Sequence, residues 1–216
     1  MREATSRSEA VAAGVSDLER LLAHPVIVRL QRALKAHAPQ RADDGDGVRR
    51  AAVALILRAG ALDALELLLI KRAMYPGDPW SGQVALPGGR EEAGDATLAD
   101  TAMRETWEET AVDLRQRGRL LGELDDLHPR TPLLPPIVIS PFVFALGGDG
   151  DLVLSPEVAD AFWVPLATLQ DPRTSRETVI QLTTGPRAFP SFEHDGRTIW
   201  GLTERVLRQF LEMVRE

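Results

Sequence analysis

The sequence predicts an α/β or α+β fold, and three observations carry that expectation. Short apolar runs of strand length lie at Ala51 to Leu57, Leu65 to Ile70 and Ile137 to Leu146. Segments with helical spacing, Asp95 to Thr110 and Thr203 to Val214, lie between and after them,. Gly- and Pro-bearing stretches separate the two kinds of segment, as turns require. The chain of 216 residues is 44% hydrophobic, enough to bury one sizeable core,.

From the N-terminus, apolar residues between Ser8 and His37 recur near helical spacing and are interrupted at Pro25, which predicts two short helices,. A polar, Gly/Asp-rich stretch, Ala38 to Gly47, reads as a linker, so residues 1–48 form a helical extension and residues 49–216 the main domain,. The extension suits a homodimer contact, a cover for the sheet or a lid. Ala51 to Leu57 and Leu65 to Ile70, separated by Gly60, suit neighbouring buried strands, and Gln83 to Leu86 suits a third,. Leu120 to Leu124 and Phe162 to Val164 return to strand composition. Asp195-Gly196, between Phe192 and Ile199-Trp200, is a hairpin turn signal before the last helix,.

Charge and composition exclude several classes. A formal net charge of −7 disfavours a nucleic-acid partner, while a compact anionic ligand remains acceptable if divalent metal and local arginines offset its charge,. The absence of cysteine excludes disulfides and thiol chemistry,. With no apolar h-region at the start and no membrane-length run, the expected setting is cytoplasmic, with no membrane partner,.

Chemistry concentrates between Gly88 and Glu109. On a helix Glu108 and Glu109 follow Glu105 by three and four positions, so three carboxylates share one face within a turn,. Ala99, Ala102 and Met103 fall on another arc and can pack on a sheet. Clustered like charges weaken a helix by a few tenths of a kcal/mol per pair unless a cation neutralises them. A solvated acidic face is the plainer reading of such a triplet alone; the Gly88-Gly89 turn and acidic loop before it favour a hard cation, Mg²⁺ or Mn²⁺.

Gly89, five residues, Asp95, then Arg104-Glu105-x-x-Glu108-Glu109 resembles the Nudix box, G-x5-E-x7-R-E-U-x-E-E-x-G-U. Asp95 stands for the first Glu, eight residues instead of seven precede Arg104, Thr106 replaces an apolar residue and Ala111 replaces the late Gly. The resemblance implies a Nudix α/β/α sandwich with a mixed β-sheet and a catalytic carboxylate helix. It also implies a hydrolase that cleaves the diphosphate bond of a nucleoside diphosphate derivative. By that resemblance Glu105 and Glu109 are the principal metal ligands, Glu108 shares the task, the Gly88 carbonyl adds a ligand and Arg104 orients a carboxylate. Such metals would bridge diphosphate oxygens and activate an attacking water; no serine elbow or cysteine offers covalent chemistry.

Upstream, Leu68 to Arg72 and Gly82 to Gly89 resemble the additional signature of coenzyme A diphosphatases, roughly L-L-T-x-R-S-x3-R-x3-G-x3-F-P-G-G. This chain has one more residue between Arg72 and Gly82, Gly77 where the second arginine belongs, and Leu86 for Phe. The implied substrate is coenzyme A or acyl-coenzyme A, cleaved to 3′,5′-ADP and 4′-phosphopantetheine or its acyl form. Arg72, Lys71 and Gly89 are the candidate substrate-binding residues; simple solvation at a strand end is the alternative for the two cations. Downstream, Glu157, ahead of Phe162-Trp163-Val164-Pro165-Leu166, matches the loop acid that in Nudix proteins faces the metals as ligand or general base. A surface acid is its plainer reading, and Asp160 is the fallback. Two rivals stay open: a Nudix hydrolase of ADP-ribose, another nucleotide sugar, a dinucleotide or an oxidised nucleotide, and a Nudix-fold binding or regulatory protein without turnover.

Overall fold

The computed structural model describes residues 17–42, 45, 47–77, 80–129, 136–148, 151–182 and 185–215. Residues 8–16 of the expected first helix and residues 130–135 lie outside them. A helical turn at residues 17–22 precedes α1 (Pro25–Ala36). Pro25 starts α1 because a first-turn residue needs no N–H partner, and the His24 ring accepts the Val26 N–H instead,. The chain continues through β1 (Arg49–Ala59), β2 (Leu65–Arg72), β3 (Val84–Ala85), β4 (Gly88–Arg90), α2 (Leu98–Thr110), α3 (Leu114–Arg117) and β5 (Gly118–Glu123). It ends with β6 (Ile137–Leu146), β7 (Val158–Pro165), α4 (Leu166–Gln170), β8 (Ser175–Leu182), β9 (Gly185–His194), β10 (Arg197–Trp200) and α5 (Gly201–Arg215).

Seven strands form a mixed sheet. β1 runs parallel to β6, with Arg49 opposite Ile137 and Leu57 opposite Ala145, while β2, β4 and β5 add antiparallel pairs. β1 and β2 pair only at Leu57 to Ala59 with Leu65 to Leu67 and then part. The opening between them is filled by β4 on β1 and β3 on β2. This split is what places the Gly88-Gly89 backbone inside the sheet, beside the helix that follows it.

Alternation along β1 explains the two layers. Ala51, Leu55 and Leu57 join α1, α5, Phe192 and Ile199 in one apolar cluster, whereas Ala52, Ala54 and Ile56 join Ala102, Val112 and Leu114 in the other,. Both faces of the central strands are therefore buried, which is why their sequences read as continuous apolar runs. Small side chains at Ala52, Ala54 and Ala102 let α2 lie close to the sheet. The result is the expected α/β/α sandwich.

Several boundaries differ from expectation. The Gln83–Leu86 strand shortens to Val84–Ala85, and β4 follows as an additional strand. α2 begins at Leu98 instead of Asp95, since the Thr97 hydroxyl caps it by accepting the Asp100 N–H,. The Asp195-Gly196 turn does join β9 to β10, both residues having positive φ,. β8 and its long pairing with β9 were not expected; β8, β9 and β10 make a second, three-stranded sheet. α1 packs on α5 and β5, so the helical part of the N-terminal segment covers one sheet face and shares the core of the main domain.

Candidate active site

A cavity of about 750 Å³ opens where β1 and β2 separate. Arg72, Gly88, Gly89, Glu105, Glu109 and Glu157 line its polar part. Val53, Leu86, Ile137, Ile139, Leu202 and Val206 line an apolar part, and the Thr203 hydroxyl pins α5 to β3 by donating to the Val84 carbonyl at 3.1 Å.

Close packing requires glycine at position 88, and at 89 it leaves room for the Glu105 carboxylate. A Cβ on Gly88, whose φ is +149°, would sit 2.2 Å from the Ala52 carbonyl oxygen and 2.7 Å from Val53 Cα, both backbone atoms. A Cβ on Gly89 would sit 2.4 Å from the Glu105 carboxyl carbon. The missing side chains thus let the β4 backbone approach β1 on one side and the Glu105 carboxylate on the other.

Glu109 is 4% exposed; it accepts from the Gly88 N–H at 2.9 Å, and an Arg72 nitrogen lies 3.9 Å from its other oxygen. Burial, helped by repulsion from Glu105 and Glu157 and opposed by Gly88 and Arg72, pushes its carboxyl up to about 8,. Burial raises the Glu105 carboxyl as well, against the pull of Arg104 and with added repulsion from Glu108 and Glu157. Glu157, exposed at its turn, therefore acts electrostatically on both helix carboxylates although it lies 48 or more positions away in sequence.

Arg104 is held as a fork. Its Nε and one terminal nitrogen donate to the two Asp95 oxygens at 3.0 Å each, and that terminal nitrogen also donates to the Arg90 carbonyl at 2.9 Å. The other terminal nitrogen donates to Glu105 at 3.0 Å and Glu108 at 3.1 Å. Asp95 also accepts from the Glu92 N–H and the Thr101 hydroxyl. Hence Asp95 keeps its place in the motif despite the extra residue before Arg104: the insertion is absorbed in the loop before α2, and the ion pair closes over it.

Lys71 is exposed, does not line the cavity, and sits opposite Asp160 in the β2–β7 pairing, one residue and so one sheet face away from Arg72,. Asp160, the fallback for Glu157, pairs with Arg197 at 2.8 Å. Gly77 and Trp80 both line the cavity. Sequence reasoning left out the apolar wall from β6 and α5; its available signal was Ile199 to Thr203 ahead of the last helix.

The donor set suits a hard cation. All the side-chain candidates are oxygen ligands, two are desolvated, and Arg72 at 3.9 Å offsets the Glu109 charge only in part,. Among the described residues no three acidic or histidine side chains are already gathered as a ligand group, because Glu105 is turned to Arg104 and Glu109 to Gly88. Metal entry would exchange those contacts for coordination by Glu105 and Glu109, with Glu108 and Glu157 near enough in charge to contribute.

The NUDIX domain family profile matches residues 48–182, and the chain belongs to the Nudix family. An uncharacterized Schizosaccharomyces pombe protein, C14C4.10c, is 37% identical over 133 residues, covering 58% of this chain and 40% of that protein. The chain thus spans well under half of this relative's length. The uncharacterized Nudix hydrolase NudL of Yersinia enterocolitica is 30% identical over 139 residues, 62% of this chain and 67% of that one. The crystal structure of a MutT/nudix family protein from Enterococcus faecalis aligns with a TM-score of 0.53 at 16% identity, over 94% of this chain and 74% of that one, a likeness of fold. Among the described residues no helix is long and apolar enough to cross a membrane.

Proposed function

We propose that the chain is a divalent-cation-dependent hydrolase of the diphosphate link in a nucleoside diphosphate joined to another group, with coenzyme A or an acyl derivative as its substrate. The observation that carries the reading is the pair of desolvated carboxylates, Glu105 and Glu109, facing a cavity that also holds Arg72 and Glu157. Glu105 and Glu109 hold Mg²⁺ or Mn²⁺, with Glu108, Glu157 and the Gly88 carbonyl as further donors. When bound, such ions neutralise charge on diphosphate oxygens and make a water more acidic. Arg72 pairs a phosphate oxygen beyond their reach, Arg104 fixes the Glu105 and Glu108 carboxylates, and Glu157 takes the proton of the attacking water. The products from coenzyme A are 3′,5′-ADP and 4′-phosphopantetheine.

Support for coenzyme A comes from Leu68 to Arg72 and Gly82 to Gly89. A second reading, an ADP-ribose, nucleotide-sugar or dinucleotide hydrolase, is favoured by Gly77: it lines the cavity where the coenzyme A signature carries its second arginine, so one phosphate-pairing cation is absent. The complete carboxylate set counts against a binding protein without turnover. Coenzyme A, acetyl-coenzyme A, 3′-dephospho-coenzyme A, ADP-ribose, diadenosine polyphosphates and 8-oxo-dGTP, each with Mg²⁺ or Mn²⁺, separate these readings by product chromatography. A kcat/KM for coenzyme A at least ~10-fold above the others, about 1.4 kcal/mol of transition-state discrimination, is the expected result. Faster cleavage of ADP-ribose or a dinucleotide sinks the substrate claim alone, and metal-dependent binding without products identifies a binding protein. Glu105→Gln and Glu109→Gln each lower kcat by at least ~100-fold with the fold retained; near-parental turnover in both at saturating Mg²⁺ refutes the metal assignment.

A further inference from the structure

Glu157 reaches the cavity from a turn that is fastened on two sides. On the helix side, the Val153 and Ser155 N–H groups donate to the Thr110 and Glu109 carbonyls at 3.0 and 3.1 Å. On the sheet side, the Ala73 N–H donates to the Glu157 carbonyl at 2.8 Å, and the Tyr75 hydroxyl donates to the Pro156 carbonyl at 3.1 Å. These last two bonds grip the peptides flanking the Glu157 Cα from both directions.

The backbone of Tyr75 is itself tied down. Its N–H donates to the Ser81 hydroxyl oxygen at 2.8 Å, and the Ser81 hydroxyl donates to the Tyr75 carbonyl at 2.8 Å. Ser81 belongs to the loop from Ala73 to Gln83, whose Gly77, Trp80 and Gln83 line the cavity. The Tyr75 main chain thus belongs to the cavity loop, while its side chain belongs to the Glu157 turn. The residue is 45% exposed, so burial gives little reason for a tyrosine here,. An exposed neutral hydrogen bond also contributes modestly to stability.

We propose that Tyr75 is a positioning residue for Glu157: by holding the Pro156 carbonyl it fixes the rotation of the Pro156–Glu157 peptide and aims the Glu157 carboxylate at Glu105 and Glu109. This rests on the role for Glu157 proposed above. Because the same residue anchors the cavity loop, seating of substrate on that loop and placement of Glu157 are mechanically joined. Small misplacement of a reacting group lowers turnover steeply, which gives one peripheral hydroxyl a kinetic effect out of proportion to its stabilising effect.

Tyr75→Phe removes the hydroxyl and leaves the Ala73 bond. With coenzyme A as substrate, or ADP-ribose if the panel favours it, the expected change is a fall in kcat of about 5- to 20-fold, KM within about twofold, and a Tm within about 2 °C of the parent. Glu157→Gln lowers kcat further, and Tyr75→Phe added to Glu157→Gln changes it by less than about twofold, because a hydroxyl acting through Glu157 has nothing left to aim. Parental kcat in Tyr75→Phe, a rise in KM with kcat unchanged, or multiplicative losses in the double variant each overturn the inference while leaving Glu157 and the metal ligands in place. Parental kinetics in Glu157→Gln instead remove the Glu157 role, and the Tyr75 inference with it, without touching Glu105 and Glu109.

Discussion

At the scale of single residues, the site is organised by one ion pair that the motif only half announces. Asp95 is shorter than the glutamate it replaces and stands one position further from Arg104, yet its 4% exposed carboxylate meets the guanidinium with two parallel bonds,. Arg104, with the Glu92 N–H and the Thr101 hydroxyl, holds the Asp95 carboxyl well below the usual carboxylate range. A depressed carboxyl stabilises the fold fully above its ordinary pKa of about 3.9 and loses that contribution progressively as pH falls from there through the lowered native value. Asp95→Asn therefore lowers stability by about 2–3 kcal/mol at pH 7, the scale of hydrogen bonds to a charged group. The gap between variant and parent narrows by about 1 kcal/mol on going from pH 6 to pH 3, because Asp95 in the parent's unfolded chain takes up a proton while the native carboxylate stays ionised, and the variant has no such group. Urea midpoints across that range measure it. A gap of constant size would mean that Asp95 acts through packing and not through its charge.

At the scale of elements, α2 and the β9–β10 turn were legible and the rest of the second sheet was not, and the reasons are physical. The spacing of Glu105, Glu108 and Glu109, with small residues on the opposite arc, specifies both the helix and the face it buries. Its start shifted because Thr97, not Asp95, caps the first turn by accepting the Asp100 N–H,. β4 has no strand character in Gly88-Gly89-Arg90 and forms because β1 offers it an unpaired edge. β9 carries Pro186 and Pro190, which argue against a central strand since proline donates no hydrogen bond; both lie where β9 pairs with β8 alone, and β10 joins it only over Ser191 to His194,. At its other end α2 closes on Ala111 in the left-handed conformation, φ 58° and ψ 17°, where the family motif has glycine. That conformation costs a residue with a Cβ about 1–2 kcal/mol, partly offset by the greater unfolded-state freedom of glycine. Ala111→Gly is thus expected to stabilise the protein by about 0.5–1 kcal/mol and to raise Tm by about 2 °C. A lower Tm in calorimetry would show that the cap is not strained.

At the scale of the whole molecule, the N-terminal segment bears on how many folding units the chain has. Its linker composition suggests a separate extension, but sequence periodicity reports only that a helix has an apolar face, not what covers that face. In the structure Leu21, Ile27, Leu30 and Leu34 lie in the same apolar cluster as Leu55, Leu57, Val143, Phe210 and Leu211. The segment is also fastened through residues beyond α1: His37 and the Gln40 N–H meet Asp125 at 2.8 Å each, and the Ala42 N–H donates to Asp126 at 3.1 Å. Elements that share one core unfold together when neither can bury its apolar face alone. All four tryptophans, Trp80, Trp107, Trp163 and Trp200, lie beyond the linker, whereas far-UV circular dichroism also reports on α1. Urea unfolding followed by the two signals is expected to give one coincident transition. Leu30→Ala, a truncation at a fully buried position, should shift both by the same amount, about 2–5 kcal/mol,. Loss of dichroism ahead of the fluorescence change, with Leu30→Ala moving only that first step, would show instead that residues 17–36 fold as a unit apart from the sandwich.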